Sequence, residues 1–135
     1  MRMEWSSLYR IEVPELDSQH KKLFDLINDL MDGIEGNSRE EATRVALAAL
    51  LQYTGEHFAA EERVMQDAGY PGYDRQKAEH VKFVKKMTEL AARVGTDFDA
   101  ASEELMVYTM GWLQTHILDM DAQIGIFIKE KKKAR

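Results

Sequence analysis

The chain has 135 residues, 44% of them hydrophobic, a size suited to one domain with a single continuous core. It contains no cysteine, so disulfides, thiolate metal sites, iron–sulfur clusters and cysteine nucleophiles are excluded, and site chemistry falls to histidine and carboxylate. Its 24 acidic residues against 18 basic ones give a formal charge of -6, the wrong sign for a nucleic-acid footprint.

The opening stretch MRMEWSSLYR lacks the apolar run of a secretory signal. No uninterrupted apolar segment approaches the roughly 20 residues of a membrane span. The expectation is a cytoplasmic protein, monomeric, without membrane contact. Residues 1–16 have no clear period and include Trp5, Tyr9 and Ile11; they read as an ordered arm packed on the body of the protein.

The pattern predicts four helices, with bounds good to about two to four residues. The first, at about 17–35, follows Asp17 and Ser18, which can cap backbone N–H groups, and carries Leu23, Phe24, Ile27, Leu30, Met31 and Ile34 at spacings of three and four. The second, at about 39–67, starts after Ser38 with Glu41 three residues on, a capping-box spacing, and is read as pointing Val45, Ala49, Tyr53, His57, Glu61, Val64 and Met65 inward. Gly69, Tyr70, Pro71 and Gly72 end it. The third, at about 74–94, has Gln76, His80, Phe83, Val84, Met87, Leu90 and Val94 as its stripe and stops at Gly95. The fourth, at about 99–129, presents Leu105, Thr109, Trp112, Leu113, His116, Ile124 and Phe127. Helices of this length on short connections pack as an up-down-up-down antiparallel four-helix bundle, so the fold class is all-α. The basic end, with Lys129, Lys131, Lys132 and Lys133, reads as a helix terminus whose charge complements the dipole. The eight methionines read as packing adaptors.

All four histidines fall on these inward faces, one per helix. His20 lies early in its helix, His57 late in the antiparallel neighbour, His80 early in the third and His116 late in the fourth, so they converge at one end of the bundle. His57 and Glu61 are four residues apart and differ by only about 40° around a helix, a spacing that aims an imidazole and a carboxylate at one point. A buried ionised carboxylate is costly without a cation, and Glu61 among histidines of other helices favours a multivalent metal over a dry ion pair. Imidazole and carboxylate without sulfur suit iron, manganese or zinc.

At these residues a family pattern emerges. Trp5 and Tyr9 in the arm, Glu15 through Leu23, the run His57-Phe58-Ala59-Ala60-Glu61-Glu62, Tyr70-Pro71, His80 with Phe83, and Trp112 through Ile117 with Asp121 together resemble the bacterial hemerythrins over nearly the whole length. That resemblance implies two iron ions, joined by Glu61, Asp121 and an oxo or hydroxo bridge. His20 and His57 would hold the iron with an open position, and His80 and His116 the other. Asp121 enters through the resemblance alone: five residues beyond His116 an ideal helix has turned about 140° away, so a bulge or a long reach is needed, and nearby Asp119 points to a still different side.

One departure stands out. Where the family supplies a further histidine four residues before His80, this chain has Gln76. An amide oxygen is a weak iron ligand, so that iron binds less tightly, gains a water or recruits another group; the plainer alternative is a polar core residue beside one iron or none. Glu79 lies about 100° around the helix from His80 and is a poor replacement. Leu23, Phe58, Trp112 and Ile117 are the candidate lining of an oxygen pocket, by their proximity to ligands.

Three functional classes fit. The leading one is an oxygen-binding protein for storage, delivery or sensing, with peroxide, nitric oxide or azide as related ligands. The others are a di-iron oxidase or peroxidase, favoured by an under-ligated iron at Gln76, and an iron-holding or iron-sensing module. No motif for serine nucleophilic catalysis or phosphate binding is present.

Overall fold

The structure is a computed structural model and describes residues 3–134. A 3-10 turn at Ser7–Tyr9 precedes α1 (Pro14–Glu35), α2 (Arg39–Ala68) and α3 (Tyr73–Arg93). The fourth column of the bundle is a continuous helical rod: α4 (Phe98–Thr115), a π-helical segment (His116–Asp121) and α5 (Ala122–Lys133). The fold is the expected antiparallel four-helix bundle, with α1 packed on α2 and α4, and α3 on the same two helices.

Helix ends follow local chemistry, and some differ from expectation. α1 begins three residues before Asp17, because Pro14 occupies its first turn, where a missing N–H costs nothing. Asp17 therefore does not cap α1. Its carboxylate instead accepts the backbone N–H groups of Ile11 (2.8 Å) and Glu12 (3.1 Å), tying the arm to the helix. Ser38 sits at the N-cap of α2 without the side-chain hydrogen bond of a capping box. Gly69 ends α2 in the left-handed region at φ 67°, where a glycine carries no Cβ penalty, and the N–H of Tyr70 closes on the Met65 carbonyl at 2.9 Å.

The core is built from Leu23, Phe24, Ile27, Leu30, Met31 and Ile34 of α1, all buried, with Leu47 and Leu50 of α2, Phe83, Met87 and Leu90 of α3, and Leu105 and Leu113 of α4. Three positions on the expected stripes point outward: Val45 is 66% exposed, Val84 42%, and Ala49 is exposed as well. Stepping back from His57 by four residues at a time drifts about 40° per step, so Val45 ends about 120° away. The buried face of α2 mixes steps of three and four instead, through Thr43, Leu47, Leu50, Thr54, His57, Glu61 and Met65.

From residue 3 onward the arm is ordered and packed, as its aromatic residues predict, and residues 1 and 2 lie outside the described residues. Met3 and Asn28 exchange two hydrogen bonds, backbone N–H to Oδ1 at 2.7 Å and Nδ2 to backbone O at 2.8 Å. Trp5, Tyr9 and Phe24 meet edge-on or tilted, with centroids 4.7 to 5.7 Å apart. Farther along, Ile11 joins Leu16 and Ala60 in a small apolar cluster with Val13, Val64 and Ala122.

Candidate metal centre

The bundle brings His20, His57, Glu61, His80, His116 and Asp121 together, every one of them buried. Their arrangement divides the two carboxylates. On one side, Glu61 Oε2 lies 2.7 Å from His57 Nε2 and 3.9 Å from His20 Nε2, while Asp121 Oδ2 lies 3.1 Å from His20 Nε2. On the other, Glu61 Oε1 lies 3.4 Å from His80 Nε2 and 3.2 Å from His116 Nε2, while Asp121 Oδ1 lies 3.0 Å from His116 Nε2. Two groups that could hold a metal ion result: His20, His57, Glu61 and Asp121, and Glu61, His80 and His116, with donor atoms within 4.8 Å of one another in each.

The π-helical segment explains how Asp121 reaches this point. Hydrogen bonds that span five residues rather than four place His116 and Asp121 above one another on the same face. This is the bulge that the five-residue offset requires. Asp119 stays exposed on the outside.

The donor atoms pair with one another only in part, through ion-pair contacts such as Asp121 Oδ2 to His20 Nε2 at 3.1 Å and Glu61 Oε2 to His57 Nε2 at 2.7 Å. Both ring nitrogens of His20, Nδ1 of His116, Glu61 Oε2, Asp121 Oδ2 and Gln76 Oε1 are buried without a hydrogen-bond partner among the described residues. Buried polar groups are normally fully hydrogen-bonded, and so many imidazole and carboxylate atoms gathered at one point with incomplete hydrogen bonding fit a cation better than an internal network alone. Burial works against a charge on His20, but the nearby Asp121 and Glu61 outweigh it and raise its pKa to about 9. His116 is opposed by burial in the same way, and Asp121 followed by Glu61 raises it to about 10. Burial pushes the Glu61 carboxyl up, but Asp121 and the surrounding histidines hold it well below the usual carboxylate range.

The model of the hemerythrin HHE cation binding domain matches residues 12–125. The chain belongs to the hemerythrin family. It is 32% identical over 118 residues to a bacteriohemerythrin of Pseudomonas aeruginosa, covering 87% of this chain and 76% of that one. It is also 32% identical over 124 residues to a bacteriohemerythrin of Methylococcus capsulatus, covering 91% and 94%. The crystal structure of a wild-type hemerythrin superposes with a TM-score of 0.80 at 30% identity, covering 93% of this chain and 97% of that one.

Around the hemerythrin cluster, Gln76 is buried on α3, and its Nε2 donates to Asp121 Oδ1 at 3.2 Å. The carboxylate can only accept, so this contact fixes which end of the amide faces it. Two side chains absent from the sequence-based set orient the rings from behind. Gln19 Oε1 lies 2.7 Å from His57 Nδ1, and Glu62 Oε2 lies 3.0 Å from His80 Nδ1. Each is the immediate neighbour of a cluster residue in sequence, about 100° off its stripe, and that flanking position was the available signal.

Aromatic rings wall the cluster. Phe58 stacks on His80 at 3.8 Å with an interplanar angle of 3°, and Trp112 stacks on His116 at 4.3 Å and 13°. A small apolar cavity of about 10 Å³, close to one water-sized sphere, adjoins them. Leu23, Phe58 and Trp112 line it with Ile27, Leu50 and Leu113, and His57 and His116 also contribute to its wall. Ile117, the fourth candidate, is fully buried in the core and does not line this cavity, because it sits one position around the helix from His116. No helix among the described residues is long and apolar enough to cross a membrane.

Proposed function

We propose that this chain binds dioxygen at a pair of iron ions, which His20 and His57 would hold on one side and His80 and His116 on the other, with Glu61 and Asp121 each offering an oxygen to both sides. The observation that carries this is the division of the two carboxylates, each turning one oxygen towards each histidine pair. The donor set of four imidazoles and two carboxylates suits iron and holds no sulfur to favour a softer metal. When bound, the iron pair would supply the electrons that oxygen binding needs. The chain supplies the rest. Leu23, Phe58 and Trp112 surround a dry space beside the His57 and His116 rings, and a dry wall slows hydrolytic loss of a polar ligand.

Anaerobic reconstitution with ferrous iron tests this directly. The expected result is two irons per chain and a visible band that grows with oxygen, fades on its removal, and is replaced by another on adding azide. A single iron per chain, or tight retention of zinc alone, overturns it.

Gln76 favours a second reading. With glutamine at position 76 the His80–His116 side has one imidazole fewer than the family pattern; the amide nitrogen is engaged with Asp121, and the amide oxygen left over is a weaker donor. An under-ligated metal on that side would favour oxidation of small reductants, or reaction with peroxide or nitric oxide, over reversible carriage. Stopped-flow mixing of the diferrous protein with oxygen separates the two: carriage gives a long-lived reversible spectrum, and oxidase chemistry gives rapid conversion to the diferric form.

A further inference from the structure

The groups behind the four imidazoles are unequal. His57 has a neutral amide at its rear nitrogen, from Gln19, and the Nδ1 atoms of His20 and His116 lack a hydrogen-bond partner among the described residues. Among the described residues only His80 has a carboxylate there: Glu62 Oε2 at 3.0 Å from Nδ1. His80 is also the histidine of α3 that follows Gln76 by one helical turn, on the side that lacks an imidazole.

Glu62 cannot reach the cluster itself, because it stands on the far side of the His80 ring. Its second oxygen is 3.8 Å from Lys77 Nζ, and Lys77 is 54% exposed, so that pairing is weak and solvated. A carboxylate accepting the Nδ1–H of an imidazole holds the tautomer whose Nε2 lone pair faces the cluster, and makes that nitrogen a stronger donor.

We propose that Glu62 is a positioning residue that compensates for Gln76, strengthening His80 as a ligand on the side where this chain supplies an amide in place of an imidazole. The proposal rests on the two-metal reading of the cluster. It adds that the binding strength of the weaker position is set by a charge outside the ligand set. It also makes the roles of Glu62 and Gln76 interdependent, since an additional imidazole at position 76 removes the need for a strengthened His80.

The test is an anaerobic titration of the metal-free full chain with cobalt(II), followed by the visible bands of the bound ion, in the wild type, E62Q, Q76H and E62Q/Q76H. Glutamine at position 62 keeps an acceptor for the Nδ1–H and removes only the charge. In the wild-type background E62Q weakens the second cobalt by about 10- to 100-fold and leaves the first unchanged. In the Q76H background the same change has a much smaller effect, and a fifth protein, E62D in the wild-type background, keeps the charge and shows a smaller loss than E62Q.

Equal losses in both backgrounds, or no loss in either, overturn the proposal. Thermal unfolding of the metal-free variants guards against a folding defect: a purely structural role for Glu62 lowers the melting temperature without any dependence on residue 76, and that result counts against the proposal as well. A wild-type chain that takes up fewer than two cobalt ions fails the two-metal reading and the proposal together, whereas two ions with unchanged E62Q affinity sinks the proposal alone.

Discussion

Asp121 stands five residues after His116, yet its Oδ1 lies 3.0 Å from the His116 Nε2, because the backbone between them winds as a π-helix. The same carboxylate faces His20 Nε2 with its other oxygen at 3.1 Å, so one side chain joins α1 to the fourth column of the bundle.

Asp121→Asn should therefore weaken the metal-free fold as well as metal binding. Loss of one partner from a buried ion pair costs about 3–5 kcal/mol when the other charge is stranded. Here each imidazole can shed its proton, so the expected loss is smaller, about 2 kcal/mol. Urea unfolding of the metal-free variant at neutral pH measures it, and a change within experimental error of zero would show that Asp121 contributes nothing to the fold.

The same charges set a pH dependence. His20 and His116 have folded values of about 9 and about 10, raised from an ordinary 6.5. A raised value means the folded state holds its protons more tightly, so this stabilisation is fully present below pH 6.5 and is lost as pH climbs through 9 to 10. Glu61 acts in the opposite sense: its lowered value contributes stability above its ordinary 4.5 that is lost as pH falls below it. The metal-free protein should melt highest at mildly acidic pH and progressively lower between pH 7 and 10, as read by thermal scans.

Metal uptake near neutral pH should accordingly release protons, about two per chain, because the imidazoles of His20 and His116 must be deprotonated to act as ligands. Calorimetric titration with a divalent metal in buffers of different ionisation enthalpy gives that number. A release close to zero would mean that both rings are already neutral in the metal-free protein.

The sequence made the helices and the convergence of histidines readable because both depend on local period. His20, His57, Glu61, His80 and His116 lie on stripes of threes and fours, and the structure gathers them as that spacing requires. Where the pattern was extended by a fixed step of four, as at Val45 and Ala49, helical drift carried the residues outward. Asp121 was invisible to periodicity because a π-helical turn changes the period itself, and the resemblance to hemerythrins found it instead. Glu62 and Gln19 were missed for a different reason: they reach imidazoles on neighbouring helices from beside the stripe, and a single-helix pattern carries no information about such cross-helix contacts.

The cavity beside His57 and His116 can be enlarged through Leu50, which is buried and lines it. Leu50→Ala should cost about 3 kcal/mol through lost transfer energy and the added void. It should also speed exchange of azide at the reconstituted iron, since the apolar wall is thinner. Xenon binding in a pressurised crystal would locate the enlarged space; a variant that loses no stability and binds no xenon would mean the core has collapsed around it.

Two helical glycines should respond to alanine with opposite signs. Gly55 is exposed in α2, and an added Cβ meets nothing within 4 Å, so Gly55→Ala should stabilise by about 0.5–1 kcal/mol through helix propensity alone. Gly125 in α5 is buried against the arm, where an ideal Cβ would fall 2.0 Å from the Ile11 carbonyl oxygen. That neighbour is backbone and cannot rotate away. Ile11 is further held by its N–H bond to Asp17, and the next residue, Glu12, sits at φ 64° with its carboxylate 3.1 Å from Lys129, so the arm has little freedom to retreat. The clash should outweigh the helix-propensity gain, and Gly125→Ala should destabilise by about 1–3 kcal/mol. Limited proteolysis gives the local readout: cleavage should appear first within residues 3–13 as the arm lifts off α5, while equal stability of the two alanine variants in urea would show that the arm yields at no cost.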